Sequence, residues 1–151
     1  MVVSGGVDAK LNALRKAVSD ASDHASDSRS FYFAEYAATD SVKTILADTR
    51  NEDASYIVLD DFNQSTGVDA IDDVSGFLER NAEDIEEDDA FKTMEALAKA
   101  VSALGPYVTK FKTVESFSQS VREDGATKST TLILTKSDGK KAVVGFAHNP
   151  F

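Results

Sequence analysis

The sequence predicts an α+β fold, a mainly antiparallel sheet packed against an N-terminal helix and two central helices, and three observations carry that expectation. Apolar residues recur at helical spacing near the N-terminus and again through an acidic middle. After Pro106 the pattern changes to short β-forming runs separated by polar turns. Two of those turns carry Asp-Gly, at Asp124-Gly125 and Asp138-Gly139, a dipeptide that accepts positive φ and so closes tight hairpins. The 151 residues are the size of a single domain, and neither a linker nor an internal repeat divides them.

The elements follow in order. Val7, Leu11, Leu14, Val18 and Ala21 line one side of the first segment with Lys10, Arg15 and Lys16 opposite, an amphipathic helix of about five turns. The run from Ser22 to Ser28 ends it, because short polar side chains compete for backbone hydrogen bonds. Phe31, Phe33 and Tyr36 belong to an aromatic strand, and Tyr56 to Leu59 form a second short run of strand type. Between them Val42, Thr44 and Leu46 alternate as in a strand, although Val42, Ile45 and Leu46 would also line a helical face; the strand is the expectation for 42–48. Ile71, Val74, Phe77 and Leu78 predict a helix from 69 to about 81 with Asp69 as its N-cap. A further helix begins near Asp88 or Asp89 and carries Phe91, Met94, Leu97, Val101 and Leu104. Acids stand at its positive end and Gly105-Pro106 stops it. Tyr107 to Phe111, Val114 to Val121, Ser129 to Thr135 and Lys141 to Ala147 then read as a closing β-meander.

Composition narrows the function. The chain has no Cys, which excludes disulfides and thiolate metal sites and suits a reducing, cytoplasmic setting. The first residues lack the basic-then-apolar pattern of an export signal, and no apolar stretch approaches the roughly 18 residues of a membrane span. The net charge of -10 is concentrated: residues 1–51 sum to -1, residues 52–95 to -13, and residues 96–151 to +4. Such an anionic middle repels phosphate backbones and anionic membranes and steers basic proteins towards it.

No catalytic motif is present. His24 lies in a polar loop and His148 near the C-terminus, neither inside a hydrolase, zinc, phosphate-loop or dinucleotide pattern, so both read as surface residues. The stretch Asp61 to Asp72 places oxygen ligands Asp61, Asn63, Ser65, Asp69 and Asp72 at EF-hand-like positions. Its Gly67 comes one residue late, however, and Asp72 replaces the long Glu arm, so a calcium-binding loop is the alternative reading and no cofactor is the first. A small-ligand pocket lined by Phe31, Tyr36 or Tyr107 is a further alternative. The leading candidate is acidic. Glu83, Asp84, Glu86, Glu87, Asp88 and Asp89 fall within seven residues, next to Asp72, Asp73 and Glu79 on the preceding helix. Together they would form a partner-binding face, and a face of carboxylates can imitate a phosphate backbone. The expectation is a non-enzymatic acidic domain that binds a basic protein, with a nuclease as the natural example. The terminal Asn149-Pro150-Phe151 matches a short endocytic ligand motif, a tripeptide common by chance.

From Phe77 onward the order of features resembles the nuclease A inhibitor family, small acidic α/β proteins that block sugar-non-specific nucleases. The similar stretch comprises Phe77-Leu78-Glu79-Arg80, the acids Asp84 to Asp89, a helix with Phe91 and Leu97, the strand Thr131 to Thr135, Ser137-Asp138-Gly139, and Val143 to Phe146. The resemblance implies nuclease inhibition. It covers about half the chain. The region Ser28 to Glu35 lacks the family's Ser-Glu-Ser turn and Pro-Phe-Glu strand, and the end at His148 to Phe151 replaces its polar terminus.

Overall fold

The computed structural model describes residues 5–24, 29–50, 53–83, 85–121 and 127–148. Helix α1 (Gly5–Ser22) leads to strand β1 (Arg29–Tyr36), then α2 (Val42–Arg50) and β2 (Asn63–Thr66). Helices α3 (Gly67–Ala82) and α4 (Asp88–Ser102) follow, and β3 (Thr113–Val121), β4 (Thr127–Thr135) and β5 (Lys141–His148) form the meander. Among the described residues the sheet has five strands in the order β1-β5-β4-β3-β2, and every neighbouring pair is antiparallel. This is the expected α+β class.

Strand alternation gives the sheet two apolar faces. Leu132, Leu134, Ala142, Val144 and Phe146 meet Leu11, Leu14 and Val18 of α1, Ile71, Val74 and Leu78 of α3, and Met94, Leu97 and Val101 of α4. On the other side Phe117, Ile133 and Val143 meet Ile45 and Leu46 of α2, with Ile57 and Phe62. Consecutive Leu132, Ile133 and Leu134 are all fully buried, which only a strand covered on both sides achieves.

That second apolar face explains the main departures from the sequence reading. Residues 42–48 are helical, not a strand, because Ile45 and Leu46 must bury side by side, whereas strand neighbours point to opposite faces. Ser41 starts the helix by accepting from the Thr44 amide at 3.2 Å. Tyr56 to Leu59 is no strand either. Ile57 is buried and Leu59 packs partly buried against the same cluster, while Tyr56 and Val58 are exposed, and 3-10 turns at Ala54–Tyr56 and Leu59–Asp61 set this arrangement. Tyr107 to Phe111 falls in a third 3-10 turn, Gly105–Lys110, with Pro106 in its first turn. Helix α4 ends at Ser102, before Gly105-Pro106. Strand β2 was hidden because its four residues are polar and are held by backbone pairing, Asn63 opposite Ser118 through Thr66 opposite Glu115. Helix α3 starts two residues earlier than expected, with Thr66 at the cap and Asp69 inside the first turn. The Asp138-Gly139 turn is present, with Gly139 at φ +90°, and Asp124-Gly125 lies outside the described residues.

Two polar features invite measurement. The Ser116 hydroxyl, on β3 beneath α3, is buried without a hydrogen-bond partner among the described residues. An unsatisfied buried hydroxyl is destabilising, so Ser116→Ala should raise stability by about 1 kcal/mol, read as a shift in the urea midpoint. On the opposite face, the Tyr36 hydroxyl donates to Asp48 Oδ2 at 2.9 Å and accepts from the Tyr32 hydroxyl, fastening α2 to the sheet. Burial first, and then these two hydrogen bonds, push the Tyr36 phenol upward from its ordinary value. An acid whose pKa is raised on folding contributes stability that is complete below the unfolded value, about 10 for tyrosine, and is lost as pH rises beyond it. Absorbance at 295 nm should therefore show a late-ionising tyrosine that Tyr36→Phe removes, together with the matching part of the alkaline loss of stability.

Candidate functional site

Helix α3 is strongly two-sided. Ile71, Val74, Phe77, Leu78 and Ala82 are buried, while Asp69, Asp72, Asp73, Glu79 and Arg80 lie along its exposed side. Asp73 leans towards β2, where the Ser65 hydroxyl donates to its carboxylate. Gly76 leaves a gap in the stripe into which Arg80 settles, since a Cβ at Gly76 would come 3.3 Å from its guanidinium.

The acids beyond α3 divide into those that support the fold and those that do not. Glu87 is the N-cap of α4, its carboxylate accepting from the amides of Asp89 at 3.2 Å and Ala90 at 2.8 Å. Asp88 and Asp89 occupy the first turn of α4, where the helix dipole favours negative charge. Glu79 and Glu83 stand instead at the C-terminal end of α3, where the dipole disfavours them. Glu86 is exposed, and Asp84 lies outside the described residues. The ion pairs among the described residues join Arg15 and Lys136 to Glu35, and Lys16 to Asp20; none uses a carboxylate between 69 and 89.

Two clefts flank the α3 stripe. One, of ≈ 200 Å³, is lined by Glu79, Ala82, Glu83, Phe91, Glu95 and Lys99, with half-buried Phe91 as an apolar wall. The other, of ≈ 340 Å³, lies between α3 and β2–β3 and is lined by Asn63, Asp72, Asp73, Phe77, Arg80, Ser118 and Gln119. The structure thus brings Asp72 and Asp73 to one cleft and Glu79 and Glu83 to the other. Phe91, Glu95 and Arg80 complete the surface and were not among the sequence candidates. Phe91 read as core, and the two charges stood apart from the acidic run.

The alternatives fare differently. The Asp61–Asp72 stretch is not a loop, because strand β2 passes directly into α3 through Gly67 at φ +64°. Asn63 and Ser65 sit in β2 while Asp69 and Asp72 sit on α3, so the stretch does not form the continuous twelve-residue ligand loop of an EF-hand. Among the described residues no three His, Asp or Glu side chains are grouped closely enough to hold a metal ion. Phe31, Tyr36 and Tyr107 line neither cleft. Phe31 stacks at 5.1 Å on Phe146, Tyr36 is held by Tyr32 and Asp48, and the Tyr107 ring receives the Lys10 ammonium at 5.5 Å. His24 caps the end of α1, His148 lies on β5, and Asn149-Pro150-Phe151 is outside the described residues.

Comparison with protein-family models, with curated proteins and with solved structures gives no match. The apolar residues behind the resemblance to nuclease inhibitors are largely internal: Phe77, Leu78, Leu97, Leu132 to Leu134 and Val143 to Phe146 are all buried. Its acidic portion is the surface described above. No helix among the described residues is long and apolar enough to cross a membrane.

Proposed function

We propose that this protein is a non-enzymatic binding domain that presents the exposed side of α3 and the start of α4 to a basic protein partner. One observation carries the reading: the carboxylates of Asp69, Asp72, Glu79, Glu83 and Glu86 share one surface with no ion-pair partner among the described residues. Neighbouring like charges repel, and although Asp69 suits the first turn of α3, Glu79 and Glu83 at its other end oppose the helix dipole, so those two carboxylates do not assist folding. A cationic partner would relieve that repulsion on binding. Basic side chains would enter the cleft beside Phe91, where an apolar ring wall and Glu79, Glu83 and Glu95, three carboxylates against the one cation Lys99, suit a guanidinium or ammonium group.

A nuclease is the proposed partner class, since its phosphate site is cationic and the carboxylates would occupy it in place of a nucleic acid backbone. The test is inhibition of a sugar-non-specific nuclease, with binding followed by calorimetry across a salt series. Inhibition that weakens steeply with salt is the expected result. Absence of both inhibition and binding at low ionic strength would count against a nuclease. Failure to bind any cationic protein there would remove the acidic face as well.

A further inference from the structure

We propose that β1 is a self-association edge, through which two copies of this chain pair β1 against β1 about a two-fold axis perpendicular to the sheet. The five strands of each copy would then form one continuous sheet. The inference is independent of the acidic-face reading.

An unpaired sheet edge exposes backbone donors and acceptors, and proteins usually guard it with short strands, proline, bulges or interior charges. The two edges here differ. Strand β2 is four residues long and polar. Strand β1 runs for eight residues in an uninterrupted register with β5, from Arg29 opposite His148 to Tyr36 opposite Lys141. No strand lies along its other side among the described residues. Its centre, Phe31-Tyr32-Phe33-Ala34, carries neither charge nor proline and is only half-buried. Its charged residues, Arg29 and Glu35, stand towards the two ends.

The spacing of those charges selects a register. A perpendicular two-fold axis keeps each face of the sheet continuous, so paired residues must belong to the same face, which on a strand means equal parity. Phe31 and Phe33 pack on the α1 side, and Tyr32 and Tyr36 on the α2 side. Centred on Tyr32, the pairing sets Phe31 against Phe33 of the second copy and Arg29 against Glu35 of the second copy, twice over. A shift of two residues either way places Arg29 opposite Phe33 or Ala37 and loses both charge pairs. Arg29 has no ion pair within its own chain among the described residues, whereas Glu35 is already ion-paired to Arg15 at 3.1 Å and to Lys136 at 3.8 Å; its side chain is still 52% exposed, so Arg29 of the second copy would join or exchange with those partners.

The charge distribution permits this contact. Residues 1–51 are nearly neutral, and α3 with its acids packs over β2 and β3 at the far side of the sheet. At about 4.8 Å per strand, the two acidic faces would stand roughly 34–43 Å apart, several times the screening length of about 8 Å at physiological salt.

Sedimentation velocity from about 1 to 500 μM at 0.15 M salt is the test, with amide exchange measured at both ends of the series. The expected result is a rise from the 16.2 kDa monomer to twice that mass, with slower exchange in residues 30–34 at high concentration. Arg29→Glu should weaken the dimer by about 10-fold or more, Glu35→Arg similarly, and the double variant should recover it. A monomer with concentration-independent exchange throughout overturns the proposal, as does a dimer that Arg29→Glu leaves unchanged. A double variant that stays monomeric while folded by circular dichroism overturns the register.

Discussion

Leu46→Ala is expected to destabilise the protein by about 3 kcal/mol, as much as a substitution in the three-helix face of the sheet. Leu46 is fully buried beside Ile45, against a sheet surface built from Phe117, Ile133 and Val143. Truncation there removes apolar burial and leaves a cavity between a short helix and a rigid sheet that has little freedom to collapse into it. The T-shaped contact of Phe62 with Phe117, at 6.4 Å between ring centres, borders the same cluster and limits relaxation further. Lys43→Ala, on the exposed side of the same helix, should change stability by less than about 0.5 kcal/mol. Denaturant unfolding of both variants checks the pair. A Leu46→Ala cost below about 1 kcal/mol would mean that α2 is a loosely held cover and that the second core contributes little.

Reversing Asp72, Glu79, Glu83 and Glu86 to Lys is expected to separate binding from stability. Each reversal replaces attraction with repulsion towards a cationic partner, and at roughly 0.5–1 kcal/mol apiece the four together should weaken binding by about 30- to 1,000-fold at low salt. The difference should shrink as salt is added. Stability should hold or rise, because positive charge at positions 79 and 83 suits the C-terminal end of α3. Glu87 is left in place, since its carboxylate caps α4 and its removal would cost about 1 kcal/mol for reasons unrelated to a partner. Unaltered affinity in the fourfold variant, measured at low ionic strength, would reduce the acidic stripe to a solubility feature.

The sequence disclosed those parts of the fold whose periodicity is local. Helices α1, α3 and α4 show apolar residues along one side only, and the runs that become β3, β4 and β5 are set apart by short polar stretches of sequence, so each declares itself within a dozen residues. What it concealed depends on distant partners. The four polar residues of β2 become a strand because β3 offers backbone groups to them, and Val42 to Leu46 become helical because a second apolar sheet face needs a cover. Neither fact is present in the local pattern. The candidate surface was legible as a charge run, but its division was not. Glu87 looks like any other acid until its carboxylate is seen closing on the Asp89 and Ala90 amides. Phe91 looked internal, yet it is half-buried and lines a cleft.

The pairing of β1 with β5 also governs how the chain comes into being. Arg29 meets His148 and Tyr36 meets Lys141, so β1, once it has left the ribosome, finds its neighbour only after more than a hundred further residues have been made. At about 5–20 residues per second, the aromatic segment Phe31 to Phe33 spends several seconds with neither edge satisfied. Helix α1, complete and adjacent in sequence, is its available shelter during that interval through Arg15, which lies 5.0 Å above the Phe33 ring. A nascent chain halted before β5 should therefore be the species most in need of a chaperone, and the one most inclined to aggregate.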